Sequence, residues 1–133
     1  MTTFSLDYIP IKRRVRFSRR GSTYIDKTTK QEMEGIAAAY ESAGGRFLEG
    51  AIAITIDIFA PLPDSKPKRI SSESFTCKPD VDNVAKSVMD ALTGLAYRND
   101  SQVTKLTIRK HPRERGSVTS VYVSVKEDLN EHN

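Results

Sequence analysis

The chain has 133 residues, of which 38% are hydrophobic and 29% charged, so one core can form without disulfide or metal staples. A net charge of +4 and a pI ≈ 9.3 suit a polyanionic partner such as nucleic acid. The sequence has neither an apolar run of membrane-spanning length nor a signal peptide, and its single cysteine excludes an internal disulfide, so we expect a cytoplasmic protein with no membrane partner.

The first half of the chain predicts a strand, a helix and a second strand. Residues 3–9 alternate as a strand that Pro10 ends, and a basic stretch follows. Residues 28–43 have apolar side chains at helical spacing, and the glycine pair at 44–45 stops the helix. Residues 51–61 (AIAITIDIFAP) form the clearest strand, because four isoleucines share one face.

The second half predicts a loop, a helix and two strands. Residues 61–76 are rich in proline, serine and charge, which is typical of a surface loop that can be mobile. An apolar stripe predicts a helix over 81–93. Residues 103–110 and 118–126 alternate as strands, which we expect to pair as a hairpin.

This order of elements predicts an α+β fold, with a small mixed sheet and about two helices packed on it. We expect a single domain over residues 1–128 and a disordered tail over 129–133. The sequence has no glycine-rich phosphate loop, so we expect no nucleotide cofactor. One cysteine and two histidines do not supply a structural zinc site, and we expect Cys77 to be a small buried residue and His111 a solvated one without a partner.

Basic side chains are concentrated in three stretches. The first (12–20) lies in a region that has no acid between Asp7 and Asp26. Phe17 and Tyr24 lie in the same region and can pack on sugars or bases. The second (66–69) and the third (109–115) fit phosphate contact and a solvated basic face equally well. The predicted DNA-binding residues are Lys12, Arg13, Arg14, Arg16, Arg19, Arg20, Lys66, Lys68 and Arg69.

Carboxylates are gathered in residues 78–103 of this basic protein. Asp80 and Asp82 are separated by one residue. Pro79 favours an extended segment here, and in an extended segment both carboxylates face the same side. Lys86 follows Asp82 by one helical turn. Converging carboxylates suit a hard cation such as Mg²⁺, which can activate water and stabilise charge on a phosphate. A carboxylate-bound metal in a basic protein indicates a nuclease.

Each of these acids also has a purely structural interpretation. Asp80 can cap the helix, and Asp82 can interact with the helix dipole. Lys86 can form ordinary surface pairs with Asp82 and with Asp90, and for Asp90 we favour that interpretation. Asp100 is separated from Asp82 by the whole helix. It is a ligand only if the chain folds back within a few residues, and otherwise it is a turn residue.

The stretch KPDVDNVAKSVMDAL, followed by a glycine and YRNDSQV, resembles the signature of the RusA-type Holliday junction resolvases (crossover junction endodeoxyribonucleases). In that family D-x-D-N-x-x-K opens a helix, D-A-L lies near its end, and D-D-x-Q-V/I follows. The resemblance is close over residues 78–106 and looser over most of the remaining chain. Asn99 stands where the family commonly has the first aspartate of D-D, and Asp100 keeps the second.

The resemblance implies a homodimeric, Mg²⁺-dependent endonuclease of recombination and repair, often encoded by prophages, that resolves four-way DNA junctions by paired nicking. It implies Asp80, Asp82 and Asp100 as metal ligands and Lys86 as the catalytic lysine; Mn²⁺ can substitute for Mg²⁺. Two symmetric nicks also require two identical sites, which a two-fold dimer supplies. The alternatives are an endonuclease for flaps or forks, and a non-catalytic nucleic-acid-binding module whose acids only cap a helix.

Overall fold

The computed structural model describes residues 1–11, 16–17, 21, 23–24 and 27–129. Within them lie two helices, α1 (Lys27–Ser42) and α2 (Val81–Leu92), close to the predicted bounds. Neither is long and apolar enough to cross a membrane. The strands are, in chain order, β1 (Thr2–Leu6), β2 (Arg16–Phe17), β3 (Thr23–Tyr24), β4 (Ile52–Phe59), β5 (Ser72–Glu73), β6 (Val103–Lys110), β7 (Arg113–Glu114) and β8 (Ser120–Glu127).

Four strands form a mixed sheet in the order β1-β8-β4-β6. β4 pairs antiparallel with β8 and parallel with β6, and β1 pairs antiparallel with β8. Parallel neighbours need a long crossover connection, and the one between β4 and β6 contains α2. The fold is therefore the single α+β domain with a mixed sheet that the sequence predicts.

The predicted hairpin between the last two long strands is wrong. β6 has the expected bounds and β8 begins two residues later than predicted, but β4 lies between them and pairs with both. All four isoleucines of β4, Ile52, Ile54, Ile56 and Ile58, are fully buried. A strand this apolar is most stable at the centre of the sheet, where it has a neighbour on each side.

Both helices cover one face of the sheet and enclose the core. Ile36 and Tyr40 of α1 and Val84, Val88 and Leu92 of α2 pack against the isoleucines of β4. The first strand is shorter than predicted and ends at Leu6, which is opposite Val121 of β8. On the other face, β8 exposes polar side chains between its buried valines.

Residues 61–76 are more ordered than their composition suggests. Leu62 is buried, and its backbone N–H donates to the Glu114 carbonyl at 3.0 Å. β5 pairs with β7, which joins this loop to the segment between β6 and β8. At the other end of the chain Leu129 is exposed, and residues 130–133 of the predicted tail lie outside the described residues.

Candidate active site

Asp80 and Asp82 flank the first residue of α2 and face solvent together. One face of α2 is buried against the sheet, and the opposite face, which carries Asp82 and Lys86, is exposed to solvent. The Lys78 Nζ donates to Asp80 Oδ2 at 2.9 Å. That hydrogen bond and the charge of Asp80, with a smaller contribution from Asp82, raise the pKa of Lys78. Asp80 is thus paired with Lys78, and the charge of Asp82 adds to the negative field at this ammonium group.

The Asp80 side chain does not cap the helix. Its backbone is extended (φ −77°, ψ 149°), and its carboxylate makes no hydrogen bond to the first turn of α2. Only its carbonyl joins the helix, by accepting from the Val84 N–H at 3.2 Å. The capping interpretation of Asp80 is therefore wrong, and its side chain, 57% exposed, is available to a ligand.

Lys86 lies one turn beyond Asp82 and is exposed. Within the described part of the chain, Asp82 and Lys86 form no ion pair, although their spacing allows one. The Lys86 ammonium is therefore not held by Asp82.

Asp100 lies at the opposite end of α2. After the helix, Gly94 turns the chain with a φ of 88°, and its N–H donates to the Tyr97 carbonyl at 2.7 Å. The buried Tyr97 hydroxyl donates to the Met89 carbonyl at 2.7 Å. Burial, together with smaller contributions from the charges of Asp100 and Asp90, raises the pKa of Tyr97 to about 12. These contacts place Asp100 beside the last turn of α2.

β6 starts just after Asp100 and returns to the segment that leads into α2, where the Lys110 Nζ donates to the Cys77 carbonyl at 2.6 Å. A helix of 12 residues spans about 18 Å. The expected convergence of Asp80, Asp82 and Asp100 is therefore not found within one chain, because the turn at Gly94 keeps Asp100 at the far end of the helix. Accordingly, the described residues contain no group of three or more His, Cys, Asp or Glu side chains that could hold a metal ion.

The family model described as "Endodeoxyribonuclease RusA" matches residues 7–126 of this chain. The chain belongs to the RusA endodeoxyribonuclease family. Among curated proteins it is similar to the uncharacterized protein YqaN of Bacillus subtilis (strain 168), with 37% identity over 79 residues. That match covers 53% of this chain and 56% of YqaN, so the chain spans about half the length of this relative.

The RusA match includes both ends of α2. Asp80, Asp82, Lys86 and Asp100 all lie within the matched residues, as does Asn99, the position that departs from the family pattern. The Asn99 side chain accepts from the Ser101 N–H at 2.9 Å. An aspartate can accept the same hydrogen bond, so Asn99 keeps this turn while removing one negative charge.

The predicted DNA-binding residues have different surroundings. Most of the first cluster (Lys12, Arg13, Arg14, Arg19 and Arg20), together with the Arg16 side chain, lies outside the described residues. In the second cluster, Lys68 and Arg69 are exposed, whereas the Lys66 Nζ lies 3.1 Å from the Glu73 carboxylate. Lys68 and Arg69 are thus the described members best placed for phosphate.

Most of the third basic cluster is structural. Arg113 pairs with Glu73 at 3.0 Å. Hydrogen bonds and charges of Lys66 and Arg113 lower the pKa of Glu73. The Arg115 guanidinium donates to the carbonyls of residues 66, 67 and 70. Lys110 lies over the ring of Phe75, at 4.4 Å from its centroid.

Two predictions about single residues are wrong. Cys77 is exposed, because it lies in the segment that leads out to Asp80. His111 has a partner: its Nε2 lies 2.7 Å from Asp57 Oδ1, and its ring stacks on Phe59 at 4.2 Å. β6 runs parallel to β4 and brings the two strand ends together, a pairing that local sequence does not reveal.

Sequence reasoning missed Gln102, whose side chain makes more hydrogen bonds than any predicted site residue that the structure describes. It accepts from the backbone N–H groups of Arg98 and Asn99, just before Asp100, and lies within donating distance of the carbonyls of residues 48–50. The signal was present in the sequence, since Gln102 is the glutamine of the D-x-Q-V element.

Proposed function

We propose that this protein is a Mg²⁺-dependent endodeoxyribonuclease that resolves four-way DNA junctions by paired symmetric nicking. Membership of the RusA family supports the nuclease assignment. The observation that carries the proposal for this chain is the pair of carboxylates at the start of α2. Asp80 and Asp82 are exposed on either side of the first residue of α2, and the Asp80 side chain has no capping role that would explain its presence.

The proposed metal ligands are Asp80, Asp82 and Asp100, with Lys86 as the catalytic lysine. Carboxylate oxygens are the donors that Mg²⁺ and Mn²⁺ prefer. A bound ion would supply an activated water and would stabilise charge on the scissile phosphate. The Lys86 ammonium would add positive charge close to the same phosphate.

Two copies of the chain can supply the ligand set that one copy does not assemble. Asp100 precedes β6, and Asp80 and Asp82 are at the end of α2 that β6 reaches with Lys110. If two β6 strands pair antiparallel about a two-fold axis, the beginning of one strand lies beside the end of the other. Each Asp100 would then lie beside the Asp80 and Asp82 of the second copy. We therefore propose a homodimer in which each metal site contains residues of both copies.

β6 is suited to such pairing. It is an end strand of the four-stranded sheet, so one row of its backbone N–H and C=O groups faces no strand in the described part of the chain. Leu106, at the middle of β6, is 41% exposed. A strand edge with an exposed apolar side chain at its centre favours self-pairing. The resulting two-fold symmetry also matches a junction cut on two symmetry-related strands.

We further propose that phosphate is held by exposed basic side chains in the loop that precedes the carboxylate pair. Lys68 and Arg69 are exposed in the loop before the carboxylate pair. The basic segment from Lys12 to Arg20 is proposed to contact DNA on the grounds of its composition. Contacts of this kind make binding strongly salt-dependent.

The experiment is cleavage of a synthetic four-way junction with and without Mg²⁺, comparing wild type with Asp82→Asn. Asp64→Asn, which removes an exposed aspartate in the 61–70 loop, is the matched control. We expect wild type and the control to nick two strands only with Mg²⁺, and Asp82→Asn to bind without cutting. Cutting by Asp82→Asn at the wild-type rate would refute the mechanism. Equal cutting of flaps and forks would favour the branched-DNA alternative, and Mg²⁺-indifferent binding without any cleavage would favour the non-catalytic module.

A further inference from the structure

The Gln102 side chain forms hydrogen bonds with the backbone of the turn that contains Asp100. Its side-chain Oε1 accepts from the backbone N–H of Arg98 at 2.9 Å and of Asn99 at 3.1 Å. The Asn99 side chain reaches forward to the Ser101 N–H, so the two residues form a reciprocal capping box around Asp100. The backbone on both sides of Asp100 is thereby fixed.

The same side chain fastens this turn to the rest of the domain. Its Nε2 lies 3.0, 2.9 and 3.0 Å from the carbonyl oxygens of Leu48, Glu49 and Gly50, respectively, in the segment that leads into β4. An amide nitrogen has two N–H donors, so at least one of them is shared between carbonyls. Gln102 therefore joins the turn to the segment that leads directly into β4.

Only an amide side chain of this length makes both sets of contacts. Glutamate can accept the two backbone N–H groups but cannot donate to the three carbonyls, and methionine can do neither. The Asp100 side chain takes no part in the bonds that build the turn, and Asp100 is exposed. The arrangement fixes the backbone of Asp100 and leaves its carboxylate free.

We propose that Gln102 is a positioning residue that fixes the backbone carrying Asp100, and thereby the place from which its carboxylate reaches the metal, before the ion arrives. The inference rests on the proposed function, because it takes Asp100 to be a metal ligand. Gln102 itself contacts no ion or substrate. A ligand that is oriented in advance loses little conformational freedom on binding, and loss of such outer support typically weakens metal affinity by about 10- to 100-fold.

The test compares Gln102→Met, which keeps the length of the side chain and removes its donors and acceptor, with Ser117→Ala. The Ser117 hydroxyl, in the loop between β7 and β8, lies 2.9 Å from the Glu114 carbonyl and 3.3 Å from the Ala60 carbonyl, either of which can accept its hydrogen. Ser117 is far from the turn, so its substitution controls for general destabilisation. Two quantities are measured without DNA: Mn²⁺ affinity by calorimetry, and hydrogen exchange of the Arg98 and Asn99 amides. Gln102→Glu is the second variant, for the case in which the methionine variant does not fold.

We expect Gln102→Met to bind Mn²⁺ about 10- to 100-fold more weakly and to exchange both amides faster. Gln102→Glu should protect the amides and still lose affinity, because it keeps the acceptor and loses the donor. Ser117→Ala should stay within twofold of wild type. Wild-type Mn²⁺ affinity in both Gln102 variants would overturn the inference and leave the proposed function standing. Absence of Mn²⁺ binding by wild type would overturn the proposed function, and this inference with it.

Discussion

Substitution of Leu106 by lysine should convert the proposed dimer into a folded monomer. Leu106 is at the centre of the β6 edge, and charged side chains, especially lysine, are a common means of preventing edge strands from pairing. The side chain is already 41% exposed, so lysine can reach water and the fold of one chain should tolerate the change. In a two-fold pairing, however, two lysines would face each other close to the axis.

The magnitude follows from the surface of Leu106 that a partner can still cover. Full burial of a leucine side chain is worth about 1.5 to 3 kcal/mol. Because 41% of the side chain remains exposed, its further burial is worth about 0.6 to 1.2 kcal/mol per copy. The residue occurs twice in a symmetric interface, which gives about 1.2 to 2.5 kcal/mol, or roughly a 7- to 60-fold change in the dissociation constant. Repulsion between the two lysines adds to this loss.

Sedimentation velocity over a range of protein concentrations measures the dissociation constant, and thermal unfolding reports the fold. Val118→Lys is the control, since Val118 is 75% exposed in the loop before β8, away from the β6 edge. Leu106→Lys should dissociate and lose junction cleavage, while the control should do neither. A Leu106→Lys protein that dimerises as tightly as the control would refute pairing through β6.

Two further predictions concern residues that support the site. Arg115→Met removes the hydrogen bonds that hold residues 66–70, so trypsin should cleave after Lys68 and Arg69 faster than in wild type, whereas Arg109→Met, an exposed control, should leave the cleavage rate unchanged. Tyr97→Phe removes the hydrogen bond to Met89 and should cost about 1 kcal/mol at neutral pH in chemical unfolding. The pKa of Tyr97 is raised from 10 in the unfolded chain to about 12 in the fold, so neutral Tyr97 stabilises the fold fully below pH 10 and this stabilisation is lost as the pH rises toward 12. The free energy of unfolding should therefore fall less steeply between pH 10 and pH 12 in Tyr97→Phe than in wild type.

The sequence predicted the elements well because their signals are local. The isoleucines of β4 alternate with period two, and the stripe of α2 repeats with the helical period, so bounds and buried faces follow from a few neighbouring residues. The carboxylate pair was predictable for the same reason, since one intervening residue decides which way two side chains point.

Long-range placement was not predictable. Alternation shows that β6 is a strand but does not identify its neighbour, so the hairpin with β8 was wrong and the contact between His111 and Asp57 was missed. The location of Asp100 depends on a turn at Gly94 that closes locally instead of returning along the helix. The order in residues 61–76 comes from arginines that lie forty or more positions later.

The central claim is that each metal site is shared between two copies, and a purified mixed dimer tests it most directly. Asp82→Asn and Asp100→Asn chains, each inactive alone, are co-expressed with different tags, and the heterodimer is isolated. If each metal site is shared, both substitutions fall in the same site of this heterodimer and the other site stays intact. The heterodimer should then nick one junction strand at about half the wild-type rate. A heterodimer of Asp80→Asn with Asp82→Asn, in which both sites are damaged, should stay inactive. No nicking by the Asp82→Asn/Asp100→Asn heterodimer would contradict the shared site.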